Sequence, residues 1–165
     1  MITSQQIELV QSSFQQVLPI AEVAGELLYG RVFELAPETR ALFEEDIRPL
    51  ASRLMAAVKI AVDGLDRLEE VAPYLIKLGS RHVRYGVRPE HFETGGAALL
   101  WTLEQGLGEA FTPDVREAWV EAWQIVAGAM VTGMRNAELE DVEGGQLPMG
   151  RADAAPSSMV SATRL

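Results

Sequence analysis

His82 and His91 are the only imidazoles among the 165 residues, and the chain contains no cysteine. Thiolate metal sites, iron–sulfur clusters, c-type haem attachment, disulfides and cysteine nucleophiles are thereby excluded. His82 stands four residues after Leu78, on the apolar side of a helical pattern that also carries Arg81 and Arg84. No second histidine lies at the i, i+4 spacing of a zinc pair, and His91 follows only beyond Gly86 and Pro89, so a metal held by protein ligands alone is poorly supported. By pattern alone, a single helical histidine is more often a structural or surface residue than a ligand. One imidazole is nevertheless all that a haem iron needs from a protein.

Holding such a histidine requires a scaffold, and helical punctuation recurs along the chain. Thr3 and Gln6 have the spacing of a capping box. Ile7, Val10, Phe14, Val17 and Leu18 then fall on one helical face, and Ala24, Leu27, Leu28, Val32 and Leu35 on another. Pro37, Pro49, Pro89 and Pro113 sit where a proline opens a helix, with Thr112 as an N-cap. Gly64, Gly86 and Gly108 follow periodic stretches, where a left-handed C-terminal cap is wanted. The pattern predicts helices near 4–18, 20–35, 37–43, 48–63, 68–85, 89–107 and 113–136, an all-α chain of six or seven helices. Residues 1–136 form the expected domain. The acidic, Gly-, Pro- and Ser-containing stretch 137–165 reads as a frayed helix end and a flexible tail.

Composition supports one soluble domain. The apolar share is 48% and the charged share 23%, ample for a core and unlike a disordered chain. A net charge of −10 argues against nucleic acid or an anionic membrane surface as partner. The most apolar run, Leu54 to Val62, is interrupted by Lys59 and is about half of the roughly 20 residues that span a bilayer. The first residues lack a basic start and an apolar signal core, so a cytoplasmic protein is expected.

Six segments, in order and compatibly spaced, carry a resemblance. They are Leu28–Pro37, Leu42-Phe43, Arg53-Leu54-Met55, Leu78-Gly79-Ser80-Arg81-His82, Tyr85-Gly86-Val87 and Ala118-Trp119. With their flanking helices they resemble the globin family over residues 4 to about 135. The nearest type is a short single-domain bacterial haemoglobin, related to the haem domain of flavohaemoglobins and more distantly to neuroglobin. The resemblance implies a globin fold around a haem pocket holding non-covalent haem b. His82 matches the proximal iron ligand, and its ring N–H is expected to bond a backbone carbonyl one turn back, such as that of Leu78. Phe43 matches the phenylalanine that packs on the porphyrin, and Tyr29 a distal tyrosine on the second helix. Leu50 falls where other members have histidine or glutamine, Leu54 matches the apolar residue overhanging the ligand, and Arg53 matches a basic position that reaches a haem propionate. Leu78, Val87, Phe92 and Trp123 complete the implied haem surroundings. Taken alone, Phe43, Leu54 and the tryptophans would be core residues in any helical domain. Tyr29 would be a half-buried tyrosine, Arg53 part of a solvated face, and His91 a surface residue at a helix start.

Two departures shape the implied function. Flavohaemoglobins support the proximal histidine with a tyrosine and a glutamate; here those positions hold Phe92 and Met134, which offer no useful hydrogen bond. Leu50 removes the distal histidine, so a bis-histidine state is not expected. The resemblance thus implies reversible binding of dioxygen, carbon monoxide and nitric oxide, for oxygen transport or storage, with Tyr29 donating to the gas. Nitric oxide dioxygenation, yielding nitrate, is the enzymatic alternative; it needs a separate reductase, because 165 residues leave no room for flavin and nicotinamide domains. A gas-sensing module and a haem-free globin-like regulator are further alternatives, the last opposed by His82 together with Phe43.

Overall fold

Local chemistry starts the first helix. In the computed structural model, which describes residues 1–143, the Thr3 hydroxyl accepts from the Gln6 N–H while the Gln6 side chain accepts from the Thr3 N–H. These bonds satisfy two of the donors that a helix start leaves unpaired. Six α-helices follow: α1 Ser4–Val17, α2 Ala21–Leu35, α3 Arg48–Asp63, α4 Leu68–Arg84, α5 His91–Leu107 and α6 Pro113–Glu143. Shorter 3-10 turns cover Leu18–Ile20, Pro37–Leu42 and Gly108–Ala110. Among the described residues there is no strand, and no helix is long and apolar enough to cross a membrane.

Several boundaries differ from expectation for identifiable reasons. The segment expected as a helix over 37–43 is a 3-10 turn that ends at Leu42. Helix α5 starts at His91 instead of Pro89, because the His91 Nδ1 accepts from the Arg88 N–H and caps the preceding turn. Gly86 and Gly108 adopt positive φ as expected, but Gly64 does not, with φ −94°. Gly64 is required by proximity instead: a Cβ there would come 2.8 Å from that of Val71. Helix α6 continues past Asn136 to Glu143, through Ala137, Glu138, Leu139 and Glu140, all good helix formers. Leu139 and Val142 are exposed, so packing does not drive that extension. The rest of the expected tail, 144–165, lies outside the described residues.

The core has two centres. One joins α1 (Val10, Phe14, Val17), α2 (Leu28), α3 (Met55), α5 (Leu99, Leu103) and α6 (Trp119). Each such side chain contributes about 1.5–3 kcal/mol when fully buried. The indole of Trp119 finds its partner across the chain, donating to the Ser13 hydroxyl at 2.9 Å. The second centre packs α4 (Val71, Leu75) on α5 (Phe92) and α6 (Met130, Met134). Helix α4 lies backbone to backbone on α6: a Cβ on Gly79 would fall inside the Met130 carbonyl, and one on Gly133 inside the Ile76 carbonyl. On the other side, α2 crosses α3 through Gly25, where a Cβ would come 2.7 Å from the Ala51 carbonyl oxygen. The histidine helix and the tyrosine helix therefore belong to different packing units.

Candidate functional site

Helix α4 ends in a cap that sets the histidine wall. The Val87 N–H reaches the His82 carbonyl at 3.1 Å and the Gly86 N–H reaches the Val83 carbonyl at 3.1 Å, with Gly86 at φ 83°. These are the two bonds of a Schellman motif, which only a residue tolerant of the left-handed region completes. It places Val87, half-buried, just beyond His82. The imidazole is oriented by the turn before it: Nδ1 lies 2.7 Å from the Leu78 carbonyl oxygen. A carbonyl can only accept, so Nδ1 carries the proton and Nε2 keeps its lone pair. Burial of the ring, only partly opposed by the Leu78 bond, holds its pKa below the ordinary histidine value. The ring is therefore neutral at pH 7. Phe92 lies across from it at 6.3 Å between ring centroids, and Tyr85 at 5.6 Å.

A separate aromatic wall is built by α2 and the turn that follows it. Tyr29, Phe33 and Phe43 form a triad: Tyr29 and Phe43 meet edge-on at 5.0 Å, Phe33 and Phe43 edge-on at 5.1 Å, and Tyr29 stacks on Phe33 at 6.3 Å. Burial raises the phenol pKa of Tyr29 well above the ordinary tyrosine value, so the hydroxyl keeps its proton. Leu50 and Leu54 lie half-buried on the first turns of α3, and Leu54 packs against the larger core centre. The α4 cap approaches this segment: a Cβ on Gly86 would stand 3.1 Å from the Cδ2 of Leu42, the residue before Phe43.

The remaining expected residues are placed as follows. Arg53 is exposed on α3, one residue before Leu54. Phe92 and Met134 are buried, in the same packing centre. The Trp123 indole donates to the Phe92 carbonyl at 3.1 Å and lies over Gly95 and Gly96. It thus backs the Phe92 segment from α6. His91 stands at the start of α5 as expected, half-buried; its Nε2 is enclosed and lacks a partner among the described residues. Phe33 and Arg40 were not singled out from the sequence. Phe33 lies four residues after Tyr29, a spacing that puts the two on one helical face and was the available signal. No group of three or more His, Asp or Glu able to hold a metal ion occurs among the described residues.

The family model described as Globin matches residues 26–130. The chain belongs to the globin family. It is 29% identical to a neuroglobin of Tetraodon nigroviridis over 146 residues, covering 80% of this chain and 92% of that protein. A neuroglobin of Chaenocephalus aceratus is 29% identical over 140 residues, covering 76% and 88%. A flavohemoprotein of Bacillus subtilis is 29% identical over 138 residues, covering 79% of this chain but only 34% of that protein. This globin therefore spans about a third of its flavohemoprotein relative. Globins bind gases through haem, and the residues present fit that group. His82 is neutral and presents Nε2 with its lone pair available, the form in which an imidazole binds iron.

Proposed function

We propose that this globin holds haem b non-covalently with His82 as the proximal ligand and binds dioxygen, carbon monoxide and nitric oxide reversibly. The observation that carries the reading is the 2.7 Å bond from His82 Nδ1 to the Leu78 carbonyl, which fixes the tautomer and aims Nε2 away from its own helix. When bound, haem would supply a ferrous iron able to take a diatomic gas. Leu78, Val87 and Phe92 would hold the group on the histidine side, Phe43 would pack on the porphyrin, and Arg53 would reach a propionate. Trp123 holds Phe92 from behind through its backbone bond. Tyr29 keeps its proton and would donate a hydrogen bond to a polar gas, while Leu50 and Leu54 exclude water, which strengthens that hydrogen bond. The partner of the proximal ring is a neutral carbonyl rather than a carboxylate, so the imidazole gains little anionic character. Reversible binding is favoured over peroxidase-like chemistry on that ground.

Similarity to a third of a flavohemoprotein supports a second reading, nitric oxide dioxygenation with electrons from a separate reductase. Nitrate formed at many turnovers with a reductase present, and at one turnover without it, distinguishes this from carriage alone. The primary test is titration of haem into the apoprotein, followed by visible absorbance. Wild type and His91→Ala should give an intense Soret band at one haem per chain. His82→Ala should lose tight binding or keep it only with added imidazole. Full retention in His82→Ala, with the loss moved to His91→Ala, refutes the assignment.

A further inference from the structure

Arg40 lies in the 3-10 turn Pro37–Leu42 and turns its side chain back along the chain that follows. Its Nη1 donates to the carbonyls of Phe43 at 3.2 Å and Glu44 at 2.8 Å, and its Nη2 donates to that of Glu45 at 3.1 Å. Three successive carbonyls thus converge on one guanidinium. Phe43 is extended, with φ −118° and ψ 154°, and α3 does not begin until Arg48, so no helical ladder serves this stretch and the guanidinium takes that part. The same guanidinium sits 5.1 Å from the centre of the Phe33 ring, within cation–π range. Phe33 in turn packs edge-on against Phe43 and stacks on Tyr29.

We infer that Arg40 is the positioning residue of the aromatic wall: it grips the backbone of Phe43 on one side and the ring of Phe33 on the other, holding Phe43 and Tyr29 in a single arrangement. The consequence for gas binding rests on the reading of Tyr29 as the donor to the gas. Arginine is required by shape. A planar fork spans several carbonyls while its face lies on a ring, whereas the ammonium of a lysine is a point charge that does one or the other. A guanidinium that only capped a surface turn would affect stability and leave Tyr29 undisturbed.

The test compares Arg40→Ala, Arg40→Lys, Tyr29→Phe and the Arg40→Ala/Tyr29→Phe double variant as haem-loaded proteins. Oxygen and carbon monoxide release are followed by stopped flow. Arg40→Ala should speed oxygen release about 3- to 10-fold, the range of one neutral hydrogen bond, with a smaller change for carbon monoxide. Arg40→Lys should show most of the same defect despite its charge, and it carries the comparison if the alanine variant does not fold. With Tyr29→Phe already present, Arg40→Ala should add little, because the hydroxyl it positions is gone. Unchanged oxygen release in both Arg40 variants, or fully additive effects in the double variant, overturns the inference. If Tyr29→Phe by itself leaves oxygen release unaltered, the donor reading fails. Arg40 is then judged in the apoprotein by the ring NMR signals of Tyr29 and Phe43. Movement of both signals in Arg40→Lys supports the clamp, and stationary signals refute it.

Discussion

Replacing Tyr29 with phenylalanine isolates one atom. The ring contacts with Phe43 at 5.0 Å and Phe33 at 6.3 Å involve no hydroxyl, so packing and haem uptake should change little. What is lost is a hydrogen-bond donor. A hydrogen bond to a partly charged acceptor is worth about 1.5–3 kcal/mol, which corresponds to roughly 10- to 100-fold in rate at about 1.4 kcal/mol per decade. The effect should appear as faster oxygen release, measured by stopped-flow displacement with excess carbon monoxide. Carbon monoxide release, measured by displacement with nitric oxide, should change less because that ligand is less polar when held. Burial raises the Tyr29 pKa, so the wild-type advantage should be flat with pH up to about 10, the ordinary tyrosine value. Equal oxygen release in the two proteins would show that the hydroxyl points elsewhere. A wild-type advantage that vanishes near pH 8 would refute the argument from burial.

Three other perturbations have defined outcomes. Because the folded-state pKa of His82 is depressed, chiefly by burial, the unfolded chain takes up a proton first as pH falls below about 6.5. Apoprotein stability should therefore decline below that pH and hold above it. Urea unfolding between pH 8 and 5 should show this in wild type and a flatter dependence in His82→Gln. Ser13→Ala strands the buried Trp119 indole N–H and should cost about 1–3 kcal/mol, read as a lower urea midpoint with an unchanged slope. Gly79→Ala must lift α4 from Met130, whereas a Cβ on Gly128 of α6 meets nothing within 4 Å. The first should lose about 1–3 kcal/mol or more through overpacking. Gly128→Ala should be neutral or gain up to about 1 kcal/mol in helix propensity; equal effects in a denaturation series would refute the close crossing.

What could be read along the chain was mostly what is local along the chain. The Thr3–Gln6 box, the Thr112 cap of α6 and the positive φ of Gly86 and Gly108 each involve residues within one turn. So does the bond from His82 to Leu78. Gly64 misled because glycine answers to two demands, dihedral freedom and proximity, and here Val71 imposes the second. The Trp123 bond joins residues 31 apart, a pairing that helical periodicity does not encode. Arg40 was missed for another reason. Its three carbonyl acceptors exist only because the chain leaves helical geometry at Phe43, and residue type alone does not announce where that happens.

The backbone contact between α4 and α6 also sets an order of events during synthesis. Helices α1 to α3 can associate early, since Gly25 seats on Ala51 and the Gln11 side chain donates to the Val62 carbonyl. The helix bearing His82 has no comparable seat until Gly133 exists, about fifty residues later in the chain. At about 5–20 residues per second, the imidazole leaves the ribosome roughly 3–10 s before the surface that will hold it. A nascent chain therefore carries His82 on an unseated helix for most of that interval.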